Sequence, residues 1–282
     1  MSPRNAWKGA RRMAGRAKRR LFPTPAMAAW RQACREAERV PRYTPGRIRL
    51  MGYDLGYTDL LTTCPQWEDL FVRQMLRFET GNAAPRILDC GANIGLATLY
   101  FKRAHPRARI TAFEADPSIY RVMVENLQRN RAADVETVQA AVWNKTGEIE
   151  FHSEGADSGA IATRAHRESG ATRPVPSLRL RDVLDDEPVD LLKLDIEGAE
   201  GAVLDDCRGA LGNVRALALD LHEFDPAHRQ TGEVLDLLAA EGFTYALDEL
   251  VPLPWRPPVA GANTPFPARA LCWAVLVRAW RA

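Results

Sequence analysis

The sequence ILDCGANIG at residues 87–95 decides how this chain folds. Its first part, Ile87–Cys90, is a short apolar run that predicts a buried strand with an acid near its end. Glycines at positions 91 and 95 allow a tight turn into a helix over residues 94–103. A strand that turns at once into a helix is typical of the units that build a parallel sheet.

The same alternation continues along the chain. Residues 145–180 interrupt it with strand-like pieces at 148–152 and 175–180 on either side of a polar loop, residues 153–173. Strands that alternate with helices imply an α/β, Rossmann-like fold with a mostly parallel sheet and helices on both faces. The further strands are predicted at 109–115, 135–143, 190–195, 216–222, 244–248 and 272–279, and the further helices at 117–129, 199–207 and 231–241.

The sequence divides into three regions. We predict a basic, flexible arm at 1–25, a helical or irregular lead-in at 26–82, and a main domain at 83–282 with an insertion around 145–180. Inside the lead-in, the predicted elements are a helix at 26–39, short strands within 41–65 and a helix at Trp67–Phe78.

The charge of the chain is unevenly distributed. With 46% hydrophobic and 26% charged residues, the chain can bury a sizeable core. Its net charge is +2, but residues 1–20 hold eight basic and no acidic residues, so the remainder carries about −6. An acidic main body argues against nucleic-acid binding. The arm is either a solvated tail or a segment that contacts an anionic surface.

The cysteines and the hydropathy bear on location. Five scattered cysteines without a CxxC pair predict neither a disulfide framework nor a zinc site. No apolar run approaches the roughly 20 residues of a membrane-spanning helix. We therefore expect a reducing, cytoplasmic environment. The oligomeric state is left open.

The turn after the first strand predicts a ligand site, because ligands of such sheets bind beyond the carboxyl ends of the strands. Its pattern is GxNxG over Gly91–Gly95, and it lacks the third glycine of the GxGxxG dinucleotide motif. That third glycine serves pyrophosphate binding, which S-adenosylmethionine (SAM) does not require. By itself the turn is also compatible with a purely structural role.

The next strand ends at Glu114, an acid that can accept hydrogen bonds from both ribose hydroxyls of SAM or of NAD. Asp116 then precedes Pro117 as the N-cap of a helix. Small residues around Ala141 leave room for an adenine edge. We predict the cofactor-binding residues to be Asp89, Gly91, Ala92, Asn93, Gly95, Glu114, Ala115, Ala141 and Asp195.

Two later strands end in polar clusters. KLDIEGAE, residues 193–200, contains Asp195, which can bind the SAM amino group, a metal ion or the proton of the substrate. Glu200 in that cluster reads equally well as an exposed acid in the first turn of a helix. DLHEFD, residues 220–225, contains His222, a candidate general base or a structural histidine. The candidate catalytic residues are His222, Asp195 and Glu223.

The ordered motifs resemble those of the FkbM-type methyltransferases over about residues 66–248. The basic arm and a proline-rich segment at 251–268 lie outside the resemblance. The runs that carry it are ILDCGANIGLATLYF, FEADPSIYRVMVENLQRN, VQAAVWNKTGEIEFH, SLRLRDVL, DLLKLDIEGAE and LDLHEFD.

The resemblance implies a class I methyltransferase fold whose seven-stranded sheet has an antiparallel last strand. It also implies SAM as cofactor and methyl transfer to a hydroxyl of a sugar, glycan or natural product. By the same resemblance, the methionine part of SAM is lined by Gly91, Asn93 and Gly95. Glu114 holds the ribose, and Asp195 lies near the sulfonium. Glu68 matches an acid that the family often carries before the first strand.

Two other functions stay open from the residues alone. In the first, Asp195 together with Asp220 or Glu223 holds Mg²⁺, which assists O-methylation. In the second, the chain is a nicotinamide-dependent oxidoreductase, although the missing third glycine argues against it.

Overall fold

The computed structural model describes residues 24–153, 159–161, 172–184, 187–225, 228–253 and 272–281. Residues 1–23 of the predicted basic arm, most of the polar loop 153–173 and most of the proline-rich segment 251–268 lie outside the described residues. The arm is predicted to end at residue 25, but a helix already begins at Pro25. The chain forms two compact units, which divide after Met75. The sequence instead places the start of the main domain at residue 83.

The described residues of the first unit form two helices and a hairpin. Helix α1 spans Pro25–Ala37. Strands β1, Gly46–Leu50, and β2, Tyr53–Tyr57, pair antiparallel. Helix α2 spans Leu60–Trp67 and continues into a π-helical turn, Glu68–Val72.

The predicted helix at Trp67–Phe78 is wrong in position. Asp59 caps the start of α2 by accepting a hydrogen bond from Leu61 N at 3.0 Å, so the helix begins a full turn and more before Trp67. Trp67 and Phe71 are buried and stack with their ring centroids 4.2 Å apart. Their spacing of four residues produced the helical pattern, but periodicity alone does not locate the ends of a helix.

The second unit contains two sheets. Seven strands form one in the order β12-β13-β11-β10-β3-β4-β5, and four form the other in the order β6-β9-β7-β8. In chain order the strands are β3 (Arg86–Cys90), β4 (Arg109–Phe113), β5 (Glu136–Val138), β6 (Ala141–Trp143), β7 (Gly147–Ser153), β8 (Gly159–Ile161), β9 (Thr172–Arg179), β10 (Leu191–Leu194), β11 (Ala216–Glu223), β12 (Thr244–Pro252) and β13 (Trp273–Trp280).

In the larger sheet, β13 runs antiparallel to both of its neighbours, whereas the strands from β11 to β5 run parallel to one another. The predicted seven-stranded sheet with an antiparallel last strand is therefore confirmed. The helices of this unit are α3 (Leu96–Ala104), α4 (Pro117–Arg129), α5 (Leu180–Val183), α6 (Glu200–Asp206) and α7 (Thr231–Ala240).

The predicted single strand at residues 135–143 is two strands in different sheets. β5 pairs with β4 in the larger sheet, whereas β6 pairs with β9 in the smaller one. The chain leaves the first sheet between Val138 and Ala141. The sequence does not reveal this change, because each half pairs with a neighbouring strand and has the pattern of a strand.

The central strands position the site. β10 is buried on both faces, as expected for an inner parallel strand, and its Leu192 and Leu194 belong to one apolar cluster with residues of α6 and α7. Because β3, β4, β10 and β11 are parallel neighbours, the loops that follow them meet at one edge of the sheet. Among the described residues, no helix has both the length and the apolar character to cross a membrane.

Candidate active site

The turn after β3 is formed by backbone in the left-handed region. Gly91, Asn93 and Gly95 have φ angles of 79°, 51° and 86°. The amides of Gly91 and Ala92 both donate to Phe113 O, at 3.1 and 2.8 Å, which ties the turn to the end of β4. A side chain at Gly91 would place its Cβ 1.8 Å from Asp195 O. Glycine is therefore required here, because two loops of the site touch through their backbones.

Gly95 serves the packing of the helix that follows. It precedes α3, and a Cβ at this position would lie 3.1 Å from Met123 Cγ of α4. The buried Asn126 of α4 donates from Nδ2 to Ile94 O at 2.9 Å. The glycine and the asparagine together hold α3 and α4 close beside the turn.

Glu114 follows the last residue of β4 and is buried, with 8% of the residue exposed. Oε2 accepts a hydrogen bond from Asn93 N at 2.9 Å, and Oε1 accepts one from Asp116 N at 2.8 Å. Burial raises the pKa of Glu114 to about 7, although these two amides oppose the shift. Each carboxylate oxygen can accept a further bond, so this acid can receive two hydroxyl donors.

Two of the predicted cofactor-binding residues belong to an apolar cluster of the smaller sheet. Ala115 and Ala141 are buried together in one apolar cluster with Ile149, Phe151 and Val175. The structure thus brings the two predicted alanines together. The predicted N-cap role of Asp116 is confirmed, since its Oδ1 accepts from Ser118 N at 2.7 Å, and it also pairs with Arg173 at 2.6 Å.

A buried lysine links β3 to the polar cluster at residues 193–200. Lys193 is 6% exposed and donates from Nζ to Gly91 O at 2.7 Å. The same Nζ lies 3.2 Å from Asp89 Oδ1 and 3.4 Å from Asp195 Oδ2. Burial lowers the pKa of Lys193, but the two carboxylates outweigh it and the net shift is upward. Asp89 is fully buried and accepts a hydrogen bond from Thr98 Oγ1 at 2.6 Å. This bond links β3 to α3 on either side of the turn.

His222 lies in β11 among acids. Its Nδ1 is 3.2 Å from Glu200 Oε1, its Nε2 is 3.9 Å from Glu197 Oε2, and its ring stacks on Phe224 with centroids 5.4 Å apart. One ligand atom from each of Asp195, Asp220 and His222 lies within 4.8 Å of the others. The structure therefore brings His222 and Asp195 together, with Asp220 beside them.

The reading of Glu200 as an exposed acid is wrong. Its side chain is fully buried, and Oε1 accepts from Ile196 N at 3.0 Å while Oε2 accepts from Gly198 N at 3.0 Å. The loop between β10 and α6 turns back over this carboxylate, with φ angles of 55° at Glu197 and 95° at Gly198. The helix dipole alone did not indicate this arrangement.

Glu223 does not lie with His222. Successive residues of a strand point to opposite faces, and the Glu223 carboxylate is buried at the start of α7. Its Oε1 accepts from Gln230 N at 3.1 Å and from Thr231 N at 2.8 Å, which caps that helix. This placement favours a structural role instead of the catalytic one expected from the sequence.

Three further residues at the site were not predicted from the sequence. Thr98 binds Asp89, Arg173 pairs with Asp116, and Gln230 bridges β11 and α6. Thr98 carries a signal, a hydroxyl one turn into the helix that follows the strand acid. Arg173 and Gln230 carry none, since each reaches its partner only through tertiary folding. Glu68 belongs to the first unit, and its role stays a prediction.

The sheet order, the left-handed turn after β3 and the acid at the end of β4 define a class I methyltransferase fold. The methyltransferase FkbM domain matches residues 89–245, more than half of the 282 residues. The chain belongs to the FkbM methyltransferase family, so the protein is a methyltransferase and the resemblance noted from the sequence is confirmed. Membership of this family does not favour the nicotinamide-dependent alternative.

Each of the following relatives matches this chain over only part of its own length. Methyltransferase sdnD of Sordaria araneosa is 34% identical over 153 residues, which cover 43% of this chain and 59% of that protein. The 31-O-demethyl-FK506 methyltransferase FkbM of Streptomyces tacrolimicus is 26% identical over 196 residues, covering 58% and 74%. The crystal structure of methyltransferase FkbM from Methylobacillus flagellatus KT is 19% identical, covers 78% of this chain and 52% of that chain, and has a TM-score of 0.46.

Proposed function

We propose that this methyltransferase uses SAM and transfers the methyl group to a hydroxyl of a sugar, glycan or natural-product acceptor. The observation that carries the proposal is the pair formed by Glu114 and the turn at residues 91–95. Both oxygens of a buried carboxylate are held by backbone amides of the turn and of Asp116, and each retains a lone pair.

The donor set fits SAM. Glu114 would accept hydrogen bonds from the two ribose hydroxyls, and the buried alanines 115 and 141 offer small, apolar neighbours for adenine. The left-handed turn presents backbone without bulky side chains where the methionine part would lie. Asp195 has a side chain that is 35% exposed at the same edge, so it would reach the amino group of SAM or the acceptor.

The chemistry then depends on positioning. SAM, when bound, supplies an electrophilic methyl group. The residues of this chain would hold the acceptor oxygen in line and remove its proton, for which the candidates are His222 and Asp195. The name of the Streptomyces relative, a 31-O-demethyl-FK506 methyltransferase, supports an oxygen acceptor by analogy.

Calorimetry and a labelled-methyl assay test this proposal. We expect S-adenosylhomocysteine (SAH) to bind the purified protein and NAD and NADP not to bind. Glu114→Gln should weaken SAH binding roughly tenfold or more, because hydrogen bonds to a charged group are lost. The exposed Glu148→Gln changes the same charge away from the turn and should leave the affinity unchanged.

In the second step, SAM with a deuterated methyl group is incubated with a panel of sugars and polyketide-like alcohols. Mass spectrometry and NMR of the products should find the label on oxygen. Label on nitrogen would contradict O-methylation, and NAD binding without SAH binding would contradict the cofactor.

The cluster of Asp195, Asp220 and His222 favours one further candidate, a metal-assisted O-methyltransferase. The comparisons with known proteins lend it no support. Activity measured after chelation and dialysis, with and without added Mg²⁺, separates the two mechanisms: full activity without metal excludes the assisted one.

A further inference from the structure

The fully buried Glu200 contacts the candidate base directly. Its Oε1 lies 3.2 Å from His222 Nδ1, and His222 is only 8% exposed. A carboxylate in this setting only accepts hydrogen bonds, so the proton of the contact belongs to Nδ1. Nε2 is then the ring nitrogen left for proton transfer, with Glu197 Oε2 as its neighbour at 3.9 Å.

The same carboxylate holds the loop that carries Asp195. It accepts hydrogen bonds from Ile196 N at 3.0 Å and from Gly198 N at 3.0 and 3.2 Å. These amides follow Asp195 directly in the chain. One side chain therefore orients both candidate catalytic groups at this edge of the sheet.

Gln230 completes the arrangement. Its Nε2 donates to His222 O at 2.7 Å and to Glu200 Oε2 at 3.4 Å, and its Oε1 accepts from Gly201 N at 2.7 Å. A side chain at Gly201 would meet Gln230 Oε1 at 2.5 Å and would displace the Gln230 amide. Gln230 thus holds the backbone of His222 and the buried Glu200 holds its ring, which leaves the ring little freedom to turn.

The charges around the ring come from three elements. Glu197 lies in the loop after β10, Glu200 begins α6, and Asp220 precedes His222 in β11. Asp195 lies within 4.8 Å as well. Of these carboxylates, Glu200 is the fully buried one, and it contacts Nδ1 of the ring at 3.2 Å.

We propose that Glu200 is a positioning residue for methyl transfer, which fixes His222 with Nδ1 protonated and holds the Asp195 loop in the same register. The proposal rests on the proposed function for its catalytic consequence, but not for the contact itself. A carboxylate that orients a histidine base through its second nitrogen is an arrangement found on unrelated folds.

The experiment combines NMR with kinetics on the full chain. In protein labelled with ¹⁵N-histidine, the assigned His222 signals should show that the single ring proton lies on Nδ1 when the ring is neutral. Glu200→Gln should raise the share of the tautomer with the proton on Nε2, because an amide can donate as well as accept a hydrogen bond. The substitution should reduce kcat roughly 100-fold with the acceptor identified in the labelled-methyl assay. The Kd for SAH should change far less than kcat, because Glu114 and the turn at residues 91–95 keep their own hydrogen bonds.

Glu233→Gln is the matched control, since Glu233 is an exposed acid in the first turn of α7 just as Glu200 is the acid in the first turn of α6. It should move none of these readouts. An unprotonated Nδ1 in the wild type overturns the proposal, and this measurement needs no variant to fold. An unchanged proportion of the two His222 tautomers in folded Glu200→Gln also overturns it, since Glu200 would then serve the loop alone.

The outcomes separate this proposal from the proposed function. If no acceptor is methylated, the proposed function fails while the NMR measurement still decides the Glu200–His222 contact. If SAH binds and methyl transfer proceeds but His222 does not respond to Glu200→Gln, only the positioning role is lost.

Discussion

The proposed site has a cofactor side and an acceptor side, and different kinds of interaction form each of them. The cofactor side, residues 89–95 and 114–116, is shaped by left-handed backbone and by amides that donate to Phe113 O and to the Glu114 carboxylate. The acceptor side, residues 193–200 and 220–223, is shaped by buried charged side chains that bind one another. A site of the first kind depends on glycine, whereas a site of the second kind depends on the balance of charge.

Lys193 tests the difference between the two sides most directly, because it contacts residues of both. Its Nζ donates to Gly91 O and pairs with Asp89 and Asp195. Lys193→Met keeps the length of the side chain but leaves the fully buried Asp89 without its cation. We expect the free energy of unfolding to fall by about 3–5 kcal/mol. Urea titration followed by circular dichroism measures it.

Lys102→Met is the control for this change. Lys102 has a side chain that is only 11% exposed, but its partner Asp134 is 66% exposed. Removing this ion pair should cost about 1 kcal/mol or less. Equal losses in the two variants would contradict the claim that the burial of Asp89 makes Lys193 indispensable. Adding Asp89→Asn to Lys193→Met should recover part of the stability, since the stranded charge is removed.

Gly91→Ala tests the backbone contact of the cofactor side. The new Cβ would stand 1.8 Å from Asp195 O, and φ is 79°. We expect a loss of about 3 kcal/mol of stability, from left-handed strain together with the displacement of the Asp195 loop. Thermal unfolding measures the loss, and calorimetry should show SAH affinity falling with it.

Gly209→Ala isolates the clash from the strain. Gly209 has φ of 72°, but no atom of the described chain lies within 4 Å of its added Cβ. This variant should lose about 1 kcal/mol, the part that comes from the backbone angle alone. If both glycine variants lose the same amount, the contact between the two sides carries no energy.

The comparison also explains which parts of the molecule the sequence predicts. Helix α4 has the predicted bounds, Pro117–Arg129, because Asp116 and Pro117 mark its start and Asn130 its end. The glycine turn and Glu114 were likewise recognisable, because their chemistry is encoded within a few consecutive residues. Local signals of this kind describe the cofactor side well.

The acceptor side was harder to predict because its partners are far apart in the chain. Glu200 is paired with a histidine 22 residues away. Glu223 was expected beside His222, but strand alternation turns it toward the start of α7. A list of acids and a histidine at a strand end does not show which of them face the crevice. Only the packing of α6 and α7 on the sheet decides that.

The smallest expected effect concerns the protonation of Glu114. It tests whether the cofactor side depends on charge as well as on backbone. The pKa of Glu114 is raised to about 7 by burial, from an ordinary value of 4.5. Between these two values the native state holds a proton that the unfolded state has lost. The contribution of Glu114 to stability is therefore fully present below pH 4.5 and is lost as the pH rises through about 7.

SAH binding should show the opposite trend, because ribose hydroxyls donate hydrogen bonds to the ionised carboxylate. We expect the Kd for SAH to fall by a factor of less than about ten between pH 6 and pH 8, as the carboxylate loses its proton on binding. Calorimetry across this range, in two buffers of different ionisation enthalpy, measures both the affinity and the proton released. Glu114→Gln should remove the slope and the proton release together. If the variant keeps both, another group titrates at the site, and the cofactor side would depend on charge as much as the acceptor side does.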